Sequence, residues 1–161
     1  MAMQDEKKKE LIRTIKFVGF SISAGAIEII VDTVLNALHI FKPFDAFGAH
    51  IEAASITYFI AYICSVVWNF TFNRKFTFKS ANNIPKAMMQ VFLYSIVFLI
   101  FSTAFNNYLI GIGWNETVAL IVNMLINFVT EYLYQRFFVF RDSIDTNDIA
   151  QKEREKANNV K

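Results

Sequence analysis

The sequence has little of what disulfide-rich and soluble proteins depend on. It contains one cysteine, two prolines and five glycines among 161 residues, and only 19% of the residues are charged. The single Cys64 lies inside an apolar run, which excludes a disulfide framework and a cysteine-based metal site. The low charge and a mean hydropathy of +0.35 argue against a soluble globular enzyme. Few prolines and glycines favour long, uninterrupted helices.

Motifs for catalysis and for nucleotide binding are also missing from the sequence. There is no P-loop and no glycine-rich nucleotide motif, which argues against an ATP-driven pump. His39 and His50 are separated and have no cysteine partner, so neither a metal site nor a nucleophile-base pair is indicated. The charge pattern gives no support for nucleic-acid binding. We therefore expect no enzymatic activity, no metal and no cofactor.

Four apolar runs dominate what remains. Each is about 20 residues long, the length that crosses a bilayer as a helix, and they cover residues 17–41, 51–72, 87–110 and 117–138. The first run is too long for the core of a signal peptide and contains Glu28 and Asp32, so we expect it to be retained. The sequence predicts an all-α, multi-pass protein of the cytoplasmic membrane with four transmembrane helices.

The positions of the basic residues predict the orientation of these helices. Of the 16 Lys and Arg residues, all but Lys42 lie before the first run, between the second and third, or at the end of the fourth and beyond it, where Arg136 lies within the last three residues of the run. Basic residues concentrate on the cytoplasmic side of membrane proteins, so both termini and the central loop are predicted to be cytoplasmic. Residues 1–16 are predicted to form a basic interfacial segment, 17–140 the transmembrane domain, and 141–161 a charged, solvated cytosolic tail with no core to bury.

An internal repeat links the second and fourth runs. The segment N-F-T-F-N-R-K-F-T-F-K at 69–79 aligns without gaps with E-Y-L-Y-Q-R-F-F-V-F-R at 131–141, and the match places Arg74 opposite Arg136. Both segments stand at the same topological point, which favours duplication over chance similarity among many Phe residues. The sequence thus predicts two helical hairpins that enter from the cytoplasm as parallel repeats.

Polar residues inside the predicted spans are the first candidates for a binding site. Glu28, Asp32 and Asn36 recur every fourth residue and share one helix face, although each carboxylate near mid-membrane costs about 3 kcal/mol. The fourth span has a similar stripe at nearly the same depth, so the two stripes can face each other. Amide side chains in membrane spans often do no more than form hydrogen bonds with neighbouring helices, whereas buried carboxylates are usually functional. The stripe consists of Asn123, Asn127, Glu131 and Gln135.

Arg74 and Arg136 are candidates for a different task. Each stands next to an amide and among Phe rings at the depth of the lipid headgroups, where a guanidinium can bind a phosphate with two parallel hydrogen bonds. Anchoring at the membrane surface is the alternative explanation. The candidate substrate-binding residues are Glu28, Asp32, Asn69, Asn73, Arg74, Asn127, Glu131, Gln135 and Arg136.

The block W-N-F-T-F-N-R-K-F-T-F at 68–78, after a first span that opens K-F-V-G-F-S-I-S-A-G, resembles the GtrA-like family of small membrane proteins. The second block, N-F-V-T-E-Y-L-Y-Q-R-F-F-V-F, is similar to that family's last helix through Asn127, Glu131, Gln135 and Arg136. The resemblance implies four transmembrane helices. It also implies the flipping of polyprenyl-phosphate-linked monosaccharides across the membrane for polysaccharide or teichoic acid glycosylation at the cell surface. The first span departs from the family because Glu28 accompanies Asp32.

Two other functions remain open at this point. A small proton-coupled multidrug exporter also has four helices and a carboxylate in its first span, and there Glu28 would exchange protons for a cationic drug. A membrane scaffold for a glycosyltransferase would use the aromatic blocks as a docking surface and would tolerate loss of Glu28. The expected partners are the polyprenyl-phosphate-linked sugar, membrane lipid and glycosyltransferases of the same pathway. Four helices are few to enclose a sugar, so a homo-oligomer is expected.

Overall fold

A computed structural model describes residues 2–46 and 49–159. Four helices in these ranges, α1 to α4, are long and apolar enough to cross a membrane, and a fifth, α5, is short and polar. The prediction of a helical, multi-pass membrane protein is confirmed. The helices are α1 (Ala2–Ala37), α2 (Ala53–Phe72), α3 (Ile84–Gly111), α4 (Glu116–Tyr134) and α5 (Asp148–Asn159).

Helix starts and ends follow local side-chain chemistry. The Asn83 side chain accepts a hydrogen bond from the Lys86 backbone N–H and caps α3, and Asn115 does the same for the first N–H groups of α4. In the connection between α3 and α4, Gly113 has a φ of +93°. A glycine adopts this angle without steric cost, and it allows the tight turn from one helix to the next.

The connection between α1 and α2 was not predicted correctly. The apolar run extends to residue 41, but α1 ends at Ala37. Two short antiparallel strands follow, β1 (Phe44–Ala46) and β2 (Ala49–Ile51), in which Phe44 pairs with Ile51. Hydropathy marks apolar residues whether they continue a helix or enter a strand, so it could not place this boundary.

Two π-helical segments end α2 and α4. The first, π1, is Asn73–Thr77 and the second, π2, is Gln135–Val139, so they occupy matching positions of the sequence repeat. Each is closed by the same wide hydrogen bond, from the Phe78 N–H to the Asn73 carbonyl and from the Phe140 N–H to the Gln135 carbonyl, both at 2.9 Å. Single π turns in otherwise α-helical spans often occur at functional sites.

The buried core lies at the end of the helices where π1 and π2 meet, which we call the basic end. Phe78 and Phe140 are both 0% exposed and stack with ring centroids 4.7 Å apart. Around them, Phe70 stacks on Phe140 at 6.2 Å and Tyr132 stacks on Phe78 at 6.0 Å. In the repeat, Phe70 corresponds to Tyr132 and Phe78 to Phe140, so these two contacts are equivalent. Along the membrane, α1 packs against α2 and α3 against α4.

The predicted interfacial segment, residues 1–16, is continuous with the first span over its described residues 2–16. Helix α1 runs without a break from Ala2 to Ala37, about 54 Å at 1.5 Å per residue, while the bilayer core is only about 30 Å thick. Its first turns extend past the span and contact the other end of the chain, where Arg13 forms ion pairs with Glu10 and Asp145.

The tail differs from the sequence prediction as well, because it packs on the protein. Its backbone N–H groups at Asp145 and Thr146 donate to the Phe78 and Lys79 carbonyls, at 3.0 and 2.9 Å. Ala150 in α5 is 3% exposed, and Ile144 packs against the core. The prediction that this segment has no core to bury was therefore wrong. Its charge pattern is that of a solvated helix, and only the tertiary contacts show which face is covered.

Candidate functional site

A hydrogen bond between two matching positions of the repeat lies at the centre of the candidate site. Asn69 and Glu131 are 62 residues apart, the offset of the repeat, and the Asn69 Nδ2 donates to the Glu131 Oε1 at 3.1 Å. This bond joins α2 to α4 directly. The structure thus brings together a carboxylate and an amide from the two halves.

Each of these two residues is bonded in the same way by the next polar residue of its own helix. The Asn73 Nδ2 donates to the Asn69 Oδ1 at 2.7 Å, and the Gln135 Nε2 donates to the Glu131 Oε1 at 2.9 Å. Ser21 of α1 adds a hydrogen bond from its Oγ to the Asn69 Oδ1 at 3.2 Å. We call Ser21, Asn69, Asn73, Glu131 and Gln135 the repeat network.

Part of the repeat network is buried where the two π segments begin. Asn73 and Gln135, the first residues of π1 and π2, are both 0% exposed. The Thr77 Oγ1 donates to the Asn73 Oδ1 at 2.9 Å, which satisfies that oxygen. The Gln135 Oε1, by contrast, is buried and has no hydrogen-bond partner among the described residues. A buried acceptor without a partner costs free energy, so it marks a place for a donor.

The part of the polar stripe on α4 that lies farther from the basic end faces α3. The Tyr94 hydroxyl lies 2.7 Å from the Thr130 Oγ1 and donates to the Asn127 Oδ1 at 3.4 Å. Farther along, the Asn123 Nδ2 donates to the Asn106 Oδ1 at 3.1 Å. The predicted stripe is therefore divided, because Glu131 meets α2 whereas Asn123 and Asn127 meet α3.

Arg136 binds a carboxylate with two hydrogen bonds. Its Nη2 donates to the Glu10 Oε1 at 2.9 Å and its Nε to the Glu10 Oε2 at 3.3 Å, while the Tyr132 hydroxyl donates to the same Oε2 at 3.1 Å. The guanidinium also lies over the Phe137 ring, 5.4 Å from its centroid. Arg136 is thus placed to bind an oxyanion, and a side chain of α1 occupies that position here.

Arg74, the matching residue of the other repeat, forms hydrogen bonds with the loop before α3. Its Nε and Nη2 donate to the side-chain and backbone oxygens of Asn82 at 3.3 and 3.1 Å, and Asn82 in turn donates to the Val139 carbonyl at 3.2 Å. Arg74 therefore ties its own repeat to π2. The two arginines are equivalent in sequence but have different partners.

Glu28 and Asp32 are not part of the repeat network. The Asp32 Oδ1 accepts hydrogen bonds from Thr57 of α2 at 2.8 Å and from Asn36 at 3.0 Å. Glu28 accepts no hydrogen bond from the described residues and lies near Tyr58 of α2. The acidic stripe of α1 therefore meets α2, whereas the sequence had allowed it to face the stripe of α4. Equal depth does not decide which helix lies opposite.

Sequence reasoning missed several contributors to the site. Ser21 and Thr77 resemble ordinary small polar residues of a span, and Tyr94 is one of many aromatic residues, so no pattern singled them out. Glu10 resembled one charge of a basic anchor, and its partner Arg136 lies 126 residues away. A stronger signal was available for Asn106 and Asn107, two adjacent amides within an apolar run.

Comparison with known proteins agrees with the resemblance seen in the sequence. Curated proteins include no match to this chain. Residues 16–140 match the family described as GtrA/DPMS, transmembrane domain, and this range contains every predicted site residue. The chain therefore belongs to the GtrA/DPMS transmembrane domain family, which associates it with translocation of polyprenyl-linked sugars or with glycosylation.

Proposed function

We propose that this protein flips a polyprenyl-phosphate-linked monosaccharide across the cytoplasmic membrane, for glycosylation of cell-surface polysaccharide or teichoic acid. The protein acts as a carrier in this proposal and makes or breaks no covalent bond. The observation that carries it is the repeat network, in which Glu131 and the amides of both repeats meet between the candidate membrane-spanning helices α2 and α4. Carboxylates and amides can together accept from and donate to the hydroxyl groups of a sugar.

The network has an open capacity that a sugar hydroxyl would use. The buried Gln135 Oε1 lacks a donor among the described residues, and a hydroxyl can supply one. Asn69 and Glu131 would contribute further partners for the sugar. Aromatic rings stand nearby, with Trp68 stacked on Phe72 at 4.3 Å, and such faces suit the C–H surface of a sugar ring.

The phosphate would bind at Arg136. This residue directly follows Gln135, so a sugar at the network would place its phosphate near the guanidinium. A cavity of about 480 Å³ borders the ion pair of Arg136 with Glu10 and is also lined by Lys9 and Arg13. The phosphate would take the place of the Glu10 carboxylate, since both offer two oxygens to the guanidinium fork. Arg74 would position the loop before α3.

The proposed orientation places the basic end in the cytoplasm. The basic residues of the α1 extension, the loop before α3 and α5 gather at this end, as the ion pair of Lys79 with Glu153 illustrates. The related contacts of Asn69 with Glu131 and of Phe78 with Phe140 support two parallel hairpins about an axis along the membrane normal. The isoprenoid tail would stay in lipid while the head follows the polar residues.

Assembly with other chains is part of the proposal. Only 6% of the most apolar stretch of α1, and 6% of that of α3, is buried within one chain, which leaves most of these helices for lipid or for a second copy. A homo-oligomer would enclose the sugar head more fully than one chain does. Glycosyltransferases of the same pathway would supply or use the lipid-linked sugar.

Reconstitution tests this function. The purified chain in proteoliposomes should move undecaprenyl-phosphate-linked glucose, galactose or N-acetylglucosamine between leaflets, and empty liposomes should not. Ethidium uptake driven by a proton gradient, measured on the same vesicles, separates the multidrug exporter from the flippase. If no lipid-linked sugar moves but loss of the chain still prevents surface glycosylation in cells, the scaffold explanation replaces the flippase.

A further inference from the structure

A polar cavity near the end of the helices opposite the basic end was not among the predicted sites. It measures about 210 Å³ and lies between α3 and α4. Asn106 is five residues before the end of α3 and Asn123 seven residues after the start of α4, so the cavity lies about 8–10 Å inside the helix ends. Its lining consists of Ser102, Thr103, Asn106, Asn107, Leu120 and Asn123.

The amides of this cavity have unused hydrogen-bonding capacity. Asn123 is 6% exposed, and its Oδ1 has no partner in the described ranges, although its Nδ2 donates to Asn106. Asn107 is exposed and its side chain makes no hydrogen bond within the part of the chain that the structure covers. In a membrane, polar groups that lack partners are costly because lipid tails supply none. Such a cluster therefore calls for a polar occupant.

A sugar head fits the chemistry of the cavity better than an ion does. Three amides and two hydroxyls provide donors and acceptors but no formal charge, which matches a ring of hydroxyl groups. A cation would need carboxylates, and none lines the cavity. The volume is below the roughly 300–1,000 Å³ of pockets for drug-sized ligands, so the occupant is small.

A row of polar side chains connects this cavity with the repeat network. Along α4, Asn123, Asn127 and Glu131 follow at intervals of four residues, about 6 Å each. Tyr94 of α3 bonds both Asn127 and Thr130 in the middle of this row. A head group that leaves Glu131 toward the opposite end would pass these groups before it reaches Asn123.

We propose that this cavity is a second sugar-binding site, at the far end of the path, where Asn106, Asn107 and Asn123 hold the hydroxyl groups of the monosaccharide. The inference rests on the proposed flipping function and assigns the two ends of the path to two separate sets of amides. Glu131 and its neighbours bind the head at the basic end. The cavity binds it at the opposite end before release or after uptake.

Cysteine protection tests binding in this cavity without requiring transport. In a Cys64→Ser background, Leu120→Cys, which lines the cavity but replaces none of the proposed hydrogen-bonding groups, should react with N-ethylmaleimide. Citronellyl-phosphate esters of glucose, galactose or N-acetylglucosamine should slow that reaction about tenfold at ten times the half-saturating concentration. Tyr108→Cys is the matched control, because Tyr108 is exposed beside the cavity but does not line it. Absence of protection by all three esters would overturn the second site.

Transport distinguishes this inference from the function on which it rests. Asn107→Leu should slow flipping about tenfold, the effect of one lost hydrogen bond to the sugar, whereas Tyr108→Phe should leave it unchanged. Normal flipping by Asn107→Leu beside a Glu131→Gln variant that is about 10- to 100-fold slower would remove the second site and leave the flippase. Protection of Leu120→Cys in a chain that flips none of the lipid-linked sugars would support the site and reject the flippase.

A second copy of the chain is the competing occupant of the cavity. If it covers Leu120, the Leu120→Cys variant should form a disulfide with itself in the membrane and should resist N-ethylmaleimide before any sugar is added. That result would overturn the sugar site, whereas a free and reactive cysteine supports it.

Discussion

The two ends of the membrane domain are built differently. At the basic end, rings and amides of both repeats touch, with Phe78 on Phe140 and Asn69 on Glu131. At the opposite end, Asp32 of α1 accepts a hydrogen bond from Thr57 of α2, and Asn123 of α4 donates one to Asn106 of α3, while the described residues there show no hydrogen bond between the two helix pairs. The α1–α2 pair and the α3–α4 pair are thus joined at the basic end. At the opposite end, the hydrogen bonds run between the two helices of each pair.

Under the proposed flipping function, this difference would allow a small protein to move a large lipid. A firm junction at the basic end would keep the carboxylate and amides in register for the sugar head. Fewer contacts between the α1–α2 and α3–α4 pairs at the opposite end would leave a side through which an isoprenoid chain remains in lipid. Regions with few buried contacts open at lower free-energy cost than packed ones.

The largest expected effect comes from breaking the aromatic junction. Phe78 is 0% exposed, so Phe78→Ala should lower the free energy of unfolding in mixed micelles by about 3–5 kcal/mol. Phe101 of α3 is 54% exposed, and Phe101→Ala should change it by only about 0.5 kcal/mol. Equal losses in the two variants would show that the ends are equally packed and would remove the basis of the comparison.

The second prediction concerns the two equivalent arginines. Arg136→Lys keeps the charge but loses the planar fork, so flipping should fall about tenfold if the fork binds phosphate. Arg74→Lys should reduce flipping less, because Arg74 acts on the Asn82 loop. Arg141→Lys at an exposed position is the control. Wild-type flipping by both Arg74→Lys and Arg136→Lys would make these residues membrane anchors.

The smallest effect is expected at the docked tail. The ion pair between Lys79 and Glu153 is partly exposed, so Glu153→Gln should lower stability by less than about 1 kcal/mol. Glu155→Gln, on the exposed surface of the same helix, should have no effect. A loss of several kcal/mol in the unfolding titration of Glu153→Gln would mean that the tail is a main support of the basic end.

Much of the membrane domain could be predicted because hydropathy and the repeat are local signals. The four spans follow from the lengths of the apolar runs. The repeat, with its offset of 62 residues, identified Asn69 and Glu131 as equivalent positions, and these two residues are in contact. Contacts between distant segments could not be predicted in this way. Glu10 reaches Arg136 and Asp145 reaches Arg13 only after the termini fold onto the basic end. The π segments also left no signal, because their composition suits an ordinary helix.

The central claim is that the sugar head binds at the repeat network and not at the acidic stripe of α1. Flipping of undecaprenyl-phosphate-linked sugar in proteoliposomes tests it most directly, with Glu131→Gln compared against the double variant Glu28→Gln/Asp32→Asn. The sequence alone predicts that loss of the acidic pair abolishes function. The structure predicts a fall of about 10- to 100-fold for Glu131→Gln, a smaller fall for the double variant, and none for the exposed control Glu116→Gln. An inactive double variant beside a fully active Glu131→Gln would contradict the account.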